Sequence, residues 1–99
     1  MNINFINGDF EITREEMSKV ESRLHLALCR FSSRIARLNV ELSVIDNPGI
    51  GHKKCRIELF LRPTRKLITE DADVDLEAAI DRAASQMARS VERKLRRDR

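Results

Sequence analysis

The segment spanning residues 71–99 constrains the fold most, because it predicts one long amphipathic helix. Apolar residues recur in it at steps of three or four, which places them on one face of a helix. These residues are Leu76, Ile80, Ala83, Met87, Val91 and Leu95. Acidic residues fill the start of the segment and basic residues dominate its end, an order that the helix dipole favours. Asp73 is the predicted N-cap residue.

Length and composition predict one soluble globular domain over residues 1–99. The chain is 41% hydrophobic and 35% charged. It contains no apolar run of about 18 residues, so we expect no membrane partner. Its first residues lack the basic and apolar regions of a secretory signal. With only two cysteines in the chain, a disulfide framework is not expected, and the sequence favours a reducing cytoplasm.

A second amphipathic helix is predicted to begin after Thr13. Thr13 and Glu16 have the spacing of a capping box, in which each side chain accepts a hydrogen bond from the other residue's backbone N–H. The apolar face of this helix contains Met17, Val20, Leu24, Ala27, Leu28 and Phe31. Leu26 falls among the basic residues of the opposite side, so we expect it to be partly exposed. Phe10 and Ile12 are expected to lie over the core as the chain enters this helix.

Four segments predict β-strands, two of them by strict alternation of apolar and polar residues. The predicted strands are residues 1–7, 37–44, 54–62 and 66–70. Residues 46–51 predict a loop and residues 63–65 a tight connection, since both contain proline. The element order is therefore β-α-β-β-β-α.

This order predicts an α+β fold built as a two-layer sandwich. The first β-α-β unit should be a right-handed crossover that makes strands one and two parallel. Short loops join strands two to four, so these should form an antiparallel meander. Each helix has a single apolar face, which favours a four-stranded mixed sheet with both helices on one side.

Basic residues lie opposite the apolar face of each predicted helix. They are Lys19, Arg23, Arg30 and Arg34 in the first helix, and Arg82, Arg89, Arg93, Arg96 and Arg97 in the last. Two such helices on one side of a sheet predict a continuous basic surface, which favours an anionic partner such as RNA. The polar side of the sheet offers only Phe60 as an aromatic residue. The sequence therefore favours contact with the phosphate backbone over base stacking.

Candidate catalytic and metal-binding residues are few. His25 and His52 have no acid at a spacing that indicates a site, and Cys29 and Cys55 lack metal-ligand spacing. Cys55 is expected in the core and Cys29 at a half-exposed helix flank. The acidic residues 70–77 do not have the spacing of a calcium loop, and helix capping explains them. We therefore predict no enzyme activity, no metal, no cofactor and no small-molecule substrate.

Two segments resemble a known family. Residues 10–13 (FEIT) before a helix and residues 73–81 (DVDLEAAID), running into Arg89 and Arg93, are similar to motifs of ribosome hibernation promoting factor and ribosome-associated inhibitor A. This is the sigma-54 modulation or S30EA family, and the element order also agrees. The resemblance implies a fold related to double-stranded-RNA-binding domains. It also implies RNA contacts at Arg23, Arg82, Arg89 and Arg93.

The function implied by this resemblance is ribosome hibernation. Such a factor binds the small ribosomal subunit and its ribosomal RNA in the cytoplasm, occupies the channel of messenger and transfer RNA, and inhibits translation under stress or in stationary phase. A chain that ends at Arg99 is expected to be the short form, which in the family pairs inactive ribosomes with the help of a second hibernation factor.

Two other functions remain open on the sequence. The first is a general double-stranded-RNA-binding domain, although the last helix begins with acids where such domains usually carry lysines. The second is a non-ribosomal paralogue that acts as a protein-interaction domain or a small α+β enzyme. An enzyme would need a convergent polar cluster, which the sequence does not indicate.

Overall fold

The computed structural model describes residues 2–6, 12–47 and 50–97. They form a four-stranded sheet, two α-helices and one 3₁₀-helix. The strands are β1 (Ile3–Ile6), β2 (Ile35–Asn47), β3 (Ile50–Leu61) and β4 (Arg65–Asp73). The helices are α1 (Arg14–Leu28), the 3₁₀-helix (Cys29–Arg34) and α2 (Leu76–Arg97).

The sheet has the predicted mixed topology. Its strand order is β1-β2-β3-β4, with β1 parallel to β2 and the other two pairings antiparallel. Alternate residues of β2 and β3 pack against apolar residues of both helices, so both helices lie on one side of the sheet. The α+β class and the two-layer arrangement are therefore confirmed.

The core lies between the sheet and the two helices. Its fully buried side chains include Leu38, Val40, Ile57 and Leu59 from the sheet and Leu24, Ile80, Met87 and Val91 from the helices. Cys55 is buried among them as predicted, and burial, with a smaller effect of the Asp71 charge, raises the pKa of its thiol to about 12. Ile12 packs partly against this core, whereas Phe10 lies outside the described residues.

Helix α1 begins with the predicted capping box. The backbone N–H of Glu16 donates to the Thr13 hydroxyl at 3.1 Å, and the N–H of Thr13 donates to the Glu16 carboxylate at 3.1 Å. Leu24 and Leu28 are fully buried, whereas Leu26 is 82% exposed, more than the partial exposure we expected. The apolar spacing of the sequence therefore identifies the buried face of this helix correctly.

The end of α1 differs from the prediction. The α-helix ends at Leu28, and residues Cys29–Arg34 wind into a 3₁₀-helix. Arg30 and Arg34 therefore do not continue the outer face of α1 at an α-helical period, because a 3₁₀-helix has three residues per turn. Cys29 is exposed rather than half exposed. The tighter winding brings Ile35, the first residue of β2, into the core, where it is 3% exposed.

Strands β2, β3 and β4 are longer than predicted. The predicted loop over residues 46–51 is mostly strand, since Asp46 pairs with Gly51 and Asn47 with Ile50. Residues 48 and 49 lie outside the described residues. At the other end, β4 extends from Arg65 to Asp73 rather than over residues 66–70. Each added residue pair extends the ladder of backbone hydrogen bonds between the strands. The alternation of apolar and polar residues in the sequence does not show where this pairing ends.

Helix α2 begins at Leu76, five residues later than the predicted start. Residues 71–73 belong to β4, where Asp73 pairs with Lys53. The N-cap is Asp75, whose carboxylate accepts a hydrogen bond from the Glu77 N–H at 3.1 Å. The Asp73 carboxylate instead accepts from the Asp75 N–H at 2.9 Å, which orders the turn before the helix. The prediction of Asp73 as N-cap is therefore wrong by two residues.

Within the described part of the chain, no helix has the length and apolar character needed to cross a membrane.

Candidate nucleic-acid interface

Helices α1 and α2 run side by side in the same direction. Three ion pairs join them in order along both helices and the following 3₁₀-helix: Lys19 with Glu77, Arg23 with Asp81, and Arg30 with Glu92. The partner number rises on both sides, which requires a parallel arrangement. The C-terminal ends of the two helices therefore lie at the same end of the molecule.

The first two of these ion pairs form an inter-helix seam. Lys19 Nζ lies 3.1 Å from Glu77 Oε1, and Arg23 Nη2 lies 3.2 Å from Glu77 Oε2. Arg23 also binds Asp81 through its other terminal nitrogen. The hydrogen bond from Lys19 lowers the pKa of the Glu77 carboxyl group. The same hydrogen bond raises the pKa of the Lys19 ammonium group. Lys19 and Arg23 are therefore neutralised by acids of α2.

Arg82 is held against the edge of the sheet rather than directed away from it. Its Nε and Nη2 donate to the two oxygens of Asp71 at 3.2 Å each, and Nη2 also lies 2.9 Å from Asp73 Oδ2. The same group donates to the carbonyl of Ala72 at 3.2 Å, and Gln86 Nε2 donates to Asp71 at 3.1 Å. Arg82 therefore joins α2 to β4, and two carboxylates neutralise its charge.

The remaining cations collect where the two helices end. We call this surface the basic end; it consists of Arg30, Arg34, Arg89, Arg93, Lys94, Arg96 and Arg97. Glu92 is the one acid that the described residues place among them, and it lies 3.7 Å from Arg30 Nη2 and 3.0 Å from Arg96 Nη2. In the described part of the chain, Arg34, Arg89 and Arg97 have no ion-pair partner, and Arg93 donates only to the Ser90 hydroxyl, at 3.5 Å.

The predicted continuous basic surface is therefore divided in two. Three of the nine predicted contact residues, Lys19, Arg23 and Arg82, are neutralised by acids of the same chain. The other six lie at the basic end together with Lys94, which the prediction omitted although it belongs to the basic run at the end of α2. Contact of these residues with RNA stays a prediction. The sequence could not reveal the division, because the neutralising acids lie 9 to 58 residues away along the chain.

The position of the basic end follows from helix electrostatics. A helix carries a partial negative charge at its C-terminus, so cations there stabilise the helix. Because α1 and α2 are parallel, the same effect favours cations at the same end of both. The acids that favour the N-termini, Glu15 and Glu16 in α1 and Glu77 in α2, lie at the opposite end. The charge is therefore polarised along the molecule.

The described residues do not indicate a metal site. They contain no group of three or more His, Cys, Asp or Glu side chains that could hold a metal ion. The arrangement at the basic end can instead bind phosphate groups, because exposed guanidinium groups donate paired hydrogen bonds to phosphate oxygens.

Comparisons with known proteins show which family and which solved structures this chain is similar to. A profile of the sigma 54 modulation protein / S30EA ribosomal protein family matches residues 2–99. The Protein Y N-terminal domain of Thermus thermophilus is 31% identical with a TM-score of 0.78, over 94% of this chain and 98% of that one. A ribosomal subunit interface protein from Coxiella burnetii, 17% identical, has the same fold, with a TM-score of 0.79 over 95% and 97% of the two chains. Among curated proteins there is no significant match.

These matches define the class of protein as a small α+β ribosome-associated factor. The chain belongs to the sigma 54 modulation protein / S30EA ribosomal protein family, which confirms the family resemblance of its sequence.

The contact between Arg82 and Asp71 predicts a pH-dependent stability. Its hydrogen bonds lower the pKa of Asp71 below the usual value of 3.8. Because the pKa is lower in the folded state, this carboxylate stabilises the fold above the unfolded-state value and loses that contribution as the pH falls through the folded-state value. We expect Asp71→Asn to melt below the wild type at about pH 7, with a smaller difference near pH 2. Thermal melts followed by circular dichroism would show this, and an equal difference at both pH values would contradict it.

Proposed function

We propose that this protein is a cytoplasmic ribosome hibernation factor. Its basic end contacts ribosomal RNA of the small subunit, and the bound protein occupies the channel that messenger and transfer RNA would otherwise use. Translation is thereby inhibited under stress or in stationary phase. Membership of a ribosome-associated family supports this proposal, as does the likeness to Protein Y and to a protein of the subunit interface.

The observation that carries the proposal is the charge of the basic end. Among the described residues, seven cationic side chains surround a single acid there, whereas Lys19, Arg23 and Arg82 are paired with acids of the same chain. Cationic side chains that bind RNA phosphates release the counterions condensed on the RNA, which makes binding strong at low salt and weaker as salt rises.

Cosedimentation with purified ribosomal subunits tests this proposal. We expect the protein to sediment with small subunits at low salt and to dissociate as the salt concentration rises. Protein that stays at the top of the gradient with small subunits at low salt would contradict the proposal. Equal affinity for a naked RNA duplex would instead indicate a general double-stranded-RNA-binding domain.

A second hibernation factor is the further partner that we propose, because the family resemblance implies paired inactive ribosomes. Gradients of whole ribosomes, run with this protein alone and with a cell extract, would separate the two activities. A peak of paired ribosomes that forms only with the extract supports the second factor. Pairing by the purified protein alone would show that no second factor is needed.

Glu92 offers a test in which affinity should increase. It lies between Arg30 and Arg96 and occupies space that an RNA phosphate would otherwise share with them. Glu92→Gln should raise the affinity for small subunits roughly 2- to 5-fold, the range of an exposed charge interaction. Glu15→Gln, the same change at the opposite end, is the control and should have a smaller effect. Filter binding at fixed salt measures both, and equal effects would show that Glu92 does not oppose RNA binding.

A further inference from the structure

The side of the sheet that faces away from the helices carries a cationic cleft. Arg37, Phe60 and Lys66 are cross-strand neighbours on β2, β3 and β4. The guanidinium carbon of Arg37 lies 4.3 Å from the centroid of the Phe60 ring, and Lys66 Nζ lies 5.6 Å from it. This contact holds the Arg37 guanidinium group over Phe60, because a cation over an aromatic face is attracted by the ring.

Beside this row lies an open cleft of about 380 Å³. That volume lies within the range of small-ligand sites in proteins. Its lining consists of Ala36, Arg37, Phe60, Leu61, Pro63, Thr64, Arg65 and Lys66. None of these residues is acidic, and the set combines cations, an aromatic ring and a hydroxyl. The cleft therefore offers a guanidinium group and an aromatic ring that can bind a planar base, in a lining without acidic residues.

One acid lies nearby but is already engaged. Glu58 binds Lys66 Nζ at 2.7 Å, and the hydrogen bond from Lys66 lowers the pKa of this carboxyl. Glu58 does not line the cleft. Lys66 is therefore paired, whereas Arg37 forms no ion pair in the described part of the chain and interacts with Glu58 only through the charge of that carboxylate.

The cleft adjoins the basic end through the backbone. The N–H of Arg62, in the turn between β3 and β4, donates to the carbonyl of Arg34 at 2.8 Å. Arg34 is the last residue of the 3₁₀-helix and belongs to the basic end. Positive charge therefore continues around this end of the molecule from the helices to the open side of the sheet. An RNA strand that contacts the basic end can reach the cleft without leaving a cationic surface.

We propose that this cleft binds one nucleotide of single-stranded RNA. The base stacks on the guanidinium of Arg37, which lies over the Phe60 ring, while cations of the adjoining basic end bind the neighbouring phosphates. Unstacked RNA bases bind in this way to arginine planes and aromatic rings. This site is additional to the proposed helical contacts with the small subunit and lies on the opposite side of the sheet. Sequence reasoning set base stacking aside because it counted aromatic residues and could not see the support of Arg37 by Phe60.

The planar guanidinium group of Arg37 favours single-stranded RNA over an acidic peptide as the ligand of the cleft. A peptide carboxylate needs only charge and hydrogen-bond donors, and Arg and Lys both supply these. A stacked base requires the plane of a guanidinium, which lysine lacks. Arg37→Lys therefore separates the two ligands.

The experiment measures binding of fluorescein-labelled decauridylate by fluorescence anisotropy at low salt. We expect Arg37→Ala and Arg37→Lys each to lower the affinity at least about fivefold, the lower limit for loss of one stacked base. Arg14→Ala, a cation lost from the start of α1, is the matched control and should change the affinity by less than about twofold. Thermal melts of all variants establish that they are folded.

A site-specific readout accompanies the affinities. On adding decauridylate, we expect NMR shifts of the Phe60 ring and the Thr64 methyl group, with little change at the Val74 methyl groups at the opposite end. Wild-type affinity of Arg37→Lys, or shifts absent from Phe60 and Thr64, would overturn the proposal. Displacement of the RNA from these signals by an equal concentration of decaglutamate would also overturn it and indicate an acidic peptide. Binding to small subunits is measured separately, so failure of the cleft does not imply failure of the proposed function.

Discussion

Replacing Arg89 and Arg93 together with alanine should lower the affinity for the small ribosomal subunit by about 100-fold. Hydrogen bonds to charged groups contribute roughly 1.5 kcal/mol or more each, and both side chains are exposed without an ion-pair partner among the described residues. The slope of log affinity against log salt should fall by about two units, one for each phosphate. The melting temperature should change little, since exposed surface substitutions usually alter the free energy of unfolding within about 0.5 kcal/mol.

The matched control for this pair removes the same charge from the other end of the molecule. Arg14 opens α1, and Lys54 lies near the start of β3, where it pairs with Glu70 at 2.8 Å. Arg14→Ala with Lys54→Ala should leave both the affinity and most of the salt slope unchanged. If this control weakens binding as much as loss of Arg89 and Arg93, the effect is one of net charge and the basic end is not the contact surface.

Replacing Leu24 with alanine should produce the largest loss of stability. Its side chain is fully buried between α1, α2 and the sheet. Leucine-to-alanine changes in a core usually lower the free energy of unfolding by about 2–5 kcal/mol, because burial is lost and a cavity remains. Chemical denaturation followed by circular dichroism would measure the difference.

Leu26 provides a control two residues away in the same helix. It is 82% exposed, so Leu26→Ala removes the same atoms without creating a cavity. We expect a change in the free energy of unfolding within about 0.5 kcal/mol, since alanine is also a slightly better helix former. Similar losses for Leu24→Ala and Leu26→Ala would mean that the apolar face of α1 does not carry the stability of the fold.

Periodicity predicts the elements of this fold because helix and strand faces are local properties of the sequence. The apolar spacing of α1 predicts Leu24 as buried and Leu26 as partly exposed without knowledge of their neighbours. Element boundaries depend on partners that are distant in sequence. Asp73 has the properties of an N-cap residue, but pairing with Lys53 of β3 keeps it in a strand and leaves the cap to Asp75.

The basic residues of the candidate site could be predicted from the sequence, but their ion pairs could not. The basic run at the end of α2 is visible in the sequence, and the structure places it at one end of the molecule. That Arg23 and Arg82 are neutralised was not predictable, since their partners come from other elements of the fold. A cation on a helix face is free or paired according to tertiary packing, which composition and spacing do not specify.

The parallel direction of α1 and α2 has a kinetic consequence. With unpaired cations collected at one end and acids balanced by cations at the other, the molecule carries a dipole moment along its length. In the field of a polyanion such as ribosomal RNA, this dipole experiences a torque that turns the cationic end forward before contact. Encounters that present the opposite end are attracted less, so a larger share of collisions is productive than for the same charges spread evenly. Association should therefore be fast and should slow steeply as salt screens the field.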